Sequence, residues 1–101
     1  MVDVSGKPEV LREATARGTI RLKPETISLI NQGGTAKGDP LYSAKIAGIL
    51  GAKKTSELVP LCHPLPLTSV EVNAKVLGTS AVEVVATVKT RAQTGVEMEA
   101  L

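Results

Sequence analysis

The stretch VEVNAKVLGTSAVEVVATV, residues 70–88, decides the fold class. Val70, Val72, Ala74 and Val76 alternate with Glu71, Asn73 and Lys75, the period-two pattern of a strand that is apolar on one face and polar on the other. Gly78, Thr79 and Ser80 break the run, and Val82, Val84, Ala86 and Val88 then resume it. Two such runs on either side of a short Gly-containing break predict an antiparallel hairpin, whose apolar face needs a cover.

Working outward, TARGTIRL at 15–22 sets Ala16, Gly18, Ile20 and Leu22 against Arg17, Thr19 and Arg21, which predicts a third strand. Pro24 suits the first turn of a helix and Glu25 its positive end, with Gly33 and Gly34 as a stop, so a short helix is expected over 24–31. Asp39-Pro40 starts a second helix, carrying Leu41, Ala44, Ile46, Ala47, Gly48, Ile49 and Leu50 and running to about Lys53. LVPLCHPLPL at 58–67 reads as an ordered apolar loop, because Pro60, Pro64 and Pro66 each lack a backbone donor. Residues 1–13 show no clean periodicity and are expected to form an irregular arm. Thr94-Gly95-Val96-Glu97 matches a capping box, so a third helix is expected to begin there. Its body would follow Leu101, which makes the 101 residues read as part of a longer chain. The expectation is one α+β domain over 1–101, with helices packed on one face of an antiparallel sheet.

Composition narrows the function. The chain is 43% hydrophobic with no Phe, no Trp and one Tyr, Tyr42, so its core is aliphatic and it lacks the stacking platforms of single-strand nucleic-acid binders. A net charge of +2 is too small for a duplex-binding face, and no nucleic-acid partner is expected. The lone Cys62 cannot form an internal disulfide. No apolar run approaches the roughly 20 residues of a membrane span, and the N-terminus is too polar for a signal peptide, so the expected location is cytoplasmic, with no membrane partner.

Four groups of residues could carry chemistry. Residues 33–39, GGTAKGD, precede a helix and can be read either as a phosphate cradle or as an inter-helix loop with a solvated Lys37; they do not match the P-loop pattern. Cys62 and His63 lie together in the proline-rich loop, as a buried structural pair or with His63 as a proton donor or anion contact. A zinc site would need ligands that no other Cys or His supplies. Glu97 is accounted for by capping, and Glu99, two positions on, projects from another side of the helix. Lys53 and Lys54 sit where cations favour a helix C-terminus.

Taken in order, MVDVS, the KGD of residues 37–39, AKIAGILGAKK, LVPLCHPL, VEVN and TGVEMEAL resemble one family over the whole chain, molybdenum cofactor biosynthesis protein C, the cyclic pyranopterin monophosphate synthases. The resemblance implies a ferredoxin-like α+β subunit. It implies a lyase that converts a cyclised dihydro-GTP, (8S)-3′,8-cyclo-7,8-dihydroguanosine 5′-triphosphate, to cyclic pyranopterin monophosphate and diphosphate. It assigns catalytic roles to Lys37, Lys53 and His63, and substrate contacts to Leu61, Cys62, His63, Glu97, Met98 and Glu99. The family's homo-oligomer, a dimer and then a hexamer as a trimer of dimers, would place sites at subunit interfaces. The family continues its helix past the position of Leu101 with an Asp and a Lys closely tied to catalysis, so the resemblance assigns the synthase reaction to the parent protein and substrate-binding elements to these residues. No tightly bound cofactor or protein metal site is implied, and a divalent cation on the triphosphate is left open. The alternative is a non-catalytic oligomerisation or anion-binding domain.

Overall fold

The computed structural model describes residues 3–6, 8–33 and 38–101. Its elements, in chain order, are β1 (Val10–Arg21), α1 (Pro24–Asn31), α2 (Pro40–Lys53), α3 (Thr55–Leu58), β2 (Leu67–Leu77), β3 (Ala81–Ala92) and α4 (Glu97–Ala100). The strands form one sheet of order β1-β3-β2 with both pairs antiparallel. This is the α+β arrangement that the alternating pattern predicts, and it is consistent with the ferredoxin-like fold that the resemblance implies.

Pairing puts the even-numbered residues of β1, of β3 and of β2 from Val70 onward on one face, which Leu67 joins opposite Thr90, ahead of a register shift. Ala14 lies opposite Val88 and Val70 opposite the same Val88, while Ala16 and Val72 flank Ala86. α2 packs on β2, and α4 on β1 and β3, across that face. The core beneath them joins Ala52, Val88, Val96 and Ala100, with Ala14, Ala16, Leu65, Leu67 and Val70 packed around it. Small residues let the helix sit low: a β-carbon on Gly48 would lie 3.0 Å from Cγ1 of Val72. The odd-numbered face is polar, and on it Glu83 bridges Arg17 at 3.5 Å and Lys75 at 3.7 Å.

Local signals place the helices. Asp39 caps α2 by accepting the Leu41 N–H at 3.0 Å, and Pro40 occupies the first turn, as the sequence predicts. Pro24 begins α1, and Gly33, with φ of 101°, follows its end. Gly34 lies outside the described residues.

Three expectations are corrected. Residues 10–13 are not an irregular arm, because the ladder continues to Val10 opposite Ala92 and the partner strand supplies the order that local pattern lacks. The hairpin strands likewise extend beyond their alternating centres, to Leu67–Leu77 and Ala81–Ala92. The capping box does not form: α4 starts at Glu97 with Val96 as N-cap and no side-chain cap bond, since the Thr94–Val96 segment leaves β3 as a turn instead of opening the helix. α3 was not expected at all. It follows α2 directly, with the Thr55 hydroxyl donating to the carbonyls of Gly51 at 3.1 Å and Ala52 at 3.0 Å. No helix among the described residues is long and apolar enough to cross a membrane.

Candidate functional site

His63 sits in the loop that carries the chain from α3 to β2. Three prolines leave this loop few donors with which to order itself. The Cys62 N–H donates to the Val59 carbonyl at 3.0 Å, and Leu65 and Leu67 are packed against the core. The loop's far end is tied to the sheet by the Thr90 hydroxyl, which donates to the Pro66 carbonyl at 2.6 Å.

The facing wall grows out of the C-terminal end of β3. Arg12 reaches across from β1 and donates from Nε to the Ala92 carbonyl at 3.1 Å and from Nη2 to the Gln93 carbonyl at 3.2 Å. Buried Val96 then anchors the turn into α4. Between the two walls is an open recess of about 310 Å³, lined by Leu61, Cys62, His63, Glu97, Met98 and Glu99. The six residues that the resemblance assigns to substrate contact are therefore brought together by the fold. Val4, Leu65, Thr94 and Gly95 complete the lining; none was expected as a site residue, although all four sit inside the motifs MVDVS, LVPLCHPL and TGVEMEAL.

Lys53 stands on the other side of His63. It is exposed at the last turn of α2 and lines a smaller recess, of about 90 Å³, with Ser56, His63 and Glu99. Lys37, with Gly34, Thr35 and Ala36, lies outside the described residues, so the cradle reading of 33–39 and the role of Lys37 are not addressed by this structure.

The two carboxylates differ in setting. Glu99 is 8% exposed yet makes no hydrogen bond or ion pair to another described residue, and it borders both recesses as well as an apolar one of about 370 Å³ behind α4. No buried side-chain oxygen among the described residues lacks a partner, so the Glu99 oxygens open onto these recesses as available acceptors. Glu97 is exposed where Glu99 is buried, and the two border one recess. Cys62 is a free, half-buried thiol. Beside this site, the Asp3 carboxyl is held below its ordinary value, chiefly because it accepts the Ser5 N–H at 3.0 Å, with a smaller contribution from the nearby His63. Among the described residues, no group of three or more His, Cys, Asp or Glu is placed to hold a metal ion.

The model of the MoaC family matches residues 1–101. A cyclic pyranopterin monophosphate synthase of Thermomicrobium roseum is 55% identical over 100% of this chain and 61% of its own length. A synthase of the same name from Roseiflexus sp. is 54% identical over 100% of this chain and 65% of its own length. A probable cyclic pyranopterin monophosphate synthase of Thermococcus onnurineus is 54% identical over 100% of this chain and 64% of its own length. The chain thus spans somewhat less than two thirds of the length of these relatives.

Proposed function

The chain belongs to the MoaC family, and from that premise we propose that the recess around His63 and Glu99 is the substrate-binding wall of a cyclic pyranopterin monophosphate synthase, acting in molybdenum cofactor biosynthesis. The reaction is a phosphorus–oxygen lyase step: the cyclised dihydro-GTP is rearranged to the pyranopterin, a cyclic phosphate closes and diphosphate leaves. The observation that carries this reading is Glu99, a largely covered side chain whose carboxylate oxygens open onto two recesses with no hydrogen-bond or ion-pair partner among the described residues. A purine-derived ring offers N–H donors, and a preformed acceptor held in the recess favours a ring that can donate over one that cannot.

The remaining groups fit in turn. Met98 and Leu61 supply apolar surface for the ring. His63, shared by both recesses, is placed to pass a proton or meet an oxyanion, since its ring nitrogens can donate and accept hydrogen bonds. Lys53 offers positive charge to the phosphate end, where negative charge grows as diphosphate leaves. Lys37 belongs to the same set by its motif.

The reading includes a cytoplasmic homo-oligomer, a dimer and then a hexamer. Tyr42, Ile46 and Leu50 recur every fourth residue along α2 and are 64%, 43% and 52% exposed, an apolar stripe of the kind that subunits cover. The radius of gyration, 16.2 Å, exceeds the roughly 13 Å of a compact domain of this size, as expected of a subunit whose faces are closed by others.

The test is binding of GTP, a stable mimic of the substrate, by isothermal calorimetry, together with diphosphate release from the cyclised substrate. Saturable GTP binding that Glu99→Gln and His63→Gln each weaken by about tenfold is expected. Binding that neither substitution alters would reject the recess and favour the non-catalytic reading, in which the domain only assembles or holds anions.

A further inference from the structure

We propose that Thr90 is a positioning residue for His63, acting through its hydrogen bond to Pro66. Thr90 is fully buried, 0% exposed, on the central strand, where an aliphatic residue of the same shape would meet the needs of the core equally well. Its neighbours on that face of β3, Val88 and Ala92, are aliphatic. The hydroxyl's structural partner is the Pro66 carbonyl, at 2.6 Å.

That carbonyl is a consequential one to hold. Pro64 and Pro66 have no N–H, so the segment carrying His63 has few means of fastening itself to the sheet before β2 begins. Ladder pairing is irregular at this point: Leu67 pairs with Thr90, Ser69 with Lys89, and the register shifts between them. A bulge re-aims a strand and leaves its entry loosely specified. The Thr90 bond restores one fixed point three residues after His63, on a proline whose own φ is restricted. With Leu65 packed on the core, His63 is held where it borders both the main recess and the Lys53 recess, each of which Glu99 also lines. Thr90 touches neither recess; its effect passes through the loop.

The inference rests on His63 being a site residue, and the experiment separates the two. His63 is the only histidine, so its Cε1–H proton gives a single, unambiguous NMR signal. Thr90→Val keeps the volume and removes the hydroxyl, Thr90→Ser keeps the hydroxyl, and Pro66→Ala keeps the carbonyl at an exposed position. In T90V the His63 signal is expected to shift and broaden or split without any ligand, and GTP affinity to fall about tenfold. In T90S and P66A the signal and affinity stay within about twofold of the parent. A T90V protein that melts lower but leaves the His63 signal and GTP affinity unchanged overturns the proposal, because Thr90 is then merely structural. If T90V has no cooperative melt, Thr90→Ala and Thr90→Cys, which also lack the hydroxyl, are read in its place: a moved or broadened His63 signal supports the proposal, and an unmoved one overturns it. GTP binding insensitive to His63→Gln removes the site reading alone, since the ligand-free His63 signal still reports on Thr90.

Discussion

The Glu97 carboxylate lies over Gly95 and fills the space that a β-carbon there would need. The contact is with the far end of a flexible side chain, and Gly95 is not among the glycines at positive φ. Gly95→Ala is therefore expected to leave stability within about 1 kcal/mol of the parent, because the carboxylate can swing away and the unfolded chain becomes stiffer. GTP affinity should nevertheless fall, because Glu97 no longer lines the recess. A thermal melt paired with a GTP titration checks both halves.

Gly48 and Val72 give the opposite result. A β-carbon on Gly48 meets Cγ1 and Cγ2 of Val72 at 3.0 and 3.1 Å, and Val72 is buried and stiff at χ1. Overpacking costs about 1–3 kcal/mol, against about 1 kcal/mol gained in helix propensity, so Gly48→Ala should lower stability by about 1 kcal/mol. In a Val72→Ala background the same change should cost less, and a double-mutant cycle by urea unfolding measures that coupling.

Arg12 holds the end of β3 from another strand, so Arg12→Met should strip two carbonyls of their donors at a cost of about 1–3 kcal/mol. Hydrogen exchange should then speed up at the amides of Thr94 and Gly95 more than at the centre of the sheet. Uniform acceleration through all three strands would contradict a local role.

Asp3 makes the pH dependence near His63 testable. Its carboxyl is depressed below 3.8, first by the Ser5 N–H bond, so the Asp3–Ser5 turn is favoured above that value and lost as pH falls through the lowered one. The Ser5 amide signal should titrate with a midpoint below 3.8 and become flat across that range in Asp3→Asn.

The stripe on α2 predicts assembly. Sedimentation should show a dimer or larger species, and Ile46→Lys, which puts a charge between Tyr42 and Leu50, should shift it toward monomer without lowering helix content.

Read from its sequence, this protein declares its local grammar. Alternation in Val70–Val76 and Val82–Val88 is a backbone-period property, and the Asp39-Pro40 start of α2 is a contact between residues two apart, so both were legible. The motif LVPLCHPL and the residues Glu97 to Glu99 were legible as a resemblance. What sequence could not supply is whatever depends on partners far along the chain. Val10 joins a strand only because Ala92 is there to pair with it, and Thr94 to Glu97 carries a capping pattern that the turn out of β3 overrides. Thr90 looks like one more alternating residue until its hydroxyl is found on Pro66, and Arg12 like a surface charge until it reaches Gln93. Tertiary structure alone decided that Glu99 is largely covered, lines a recess with His63 and has no partner among the described residues, because burial is a property of the packed whole, whereas period and capping are written into neighbouring residues.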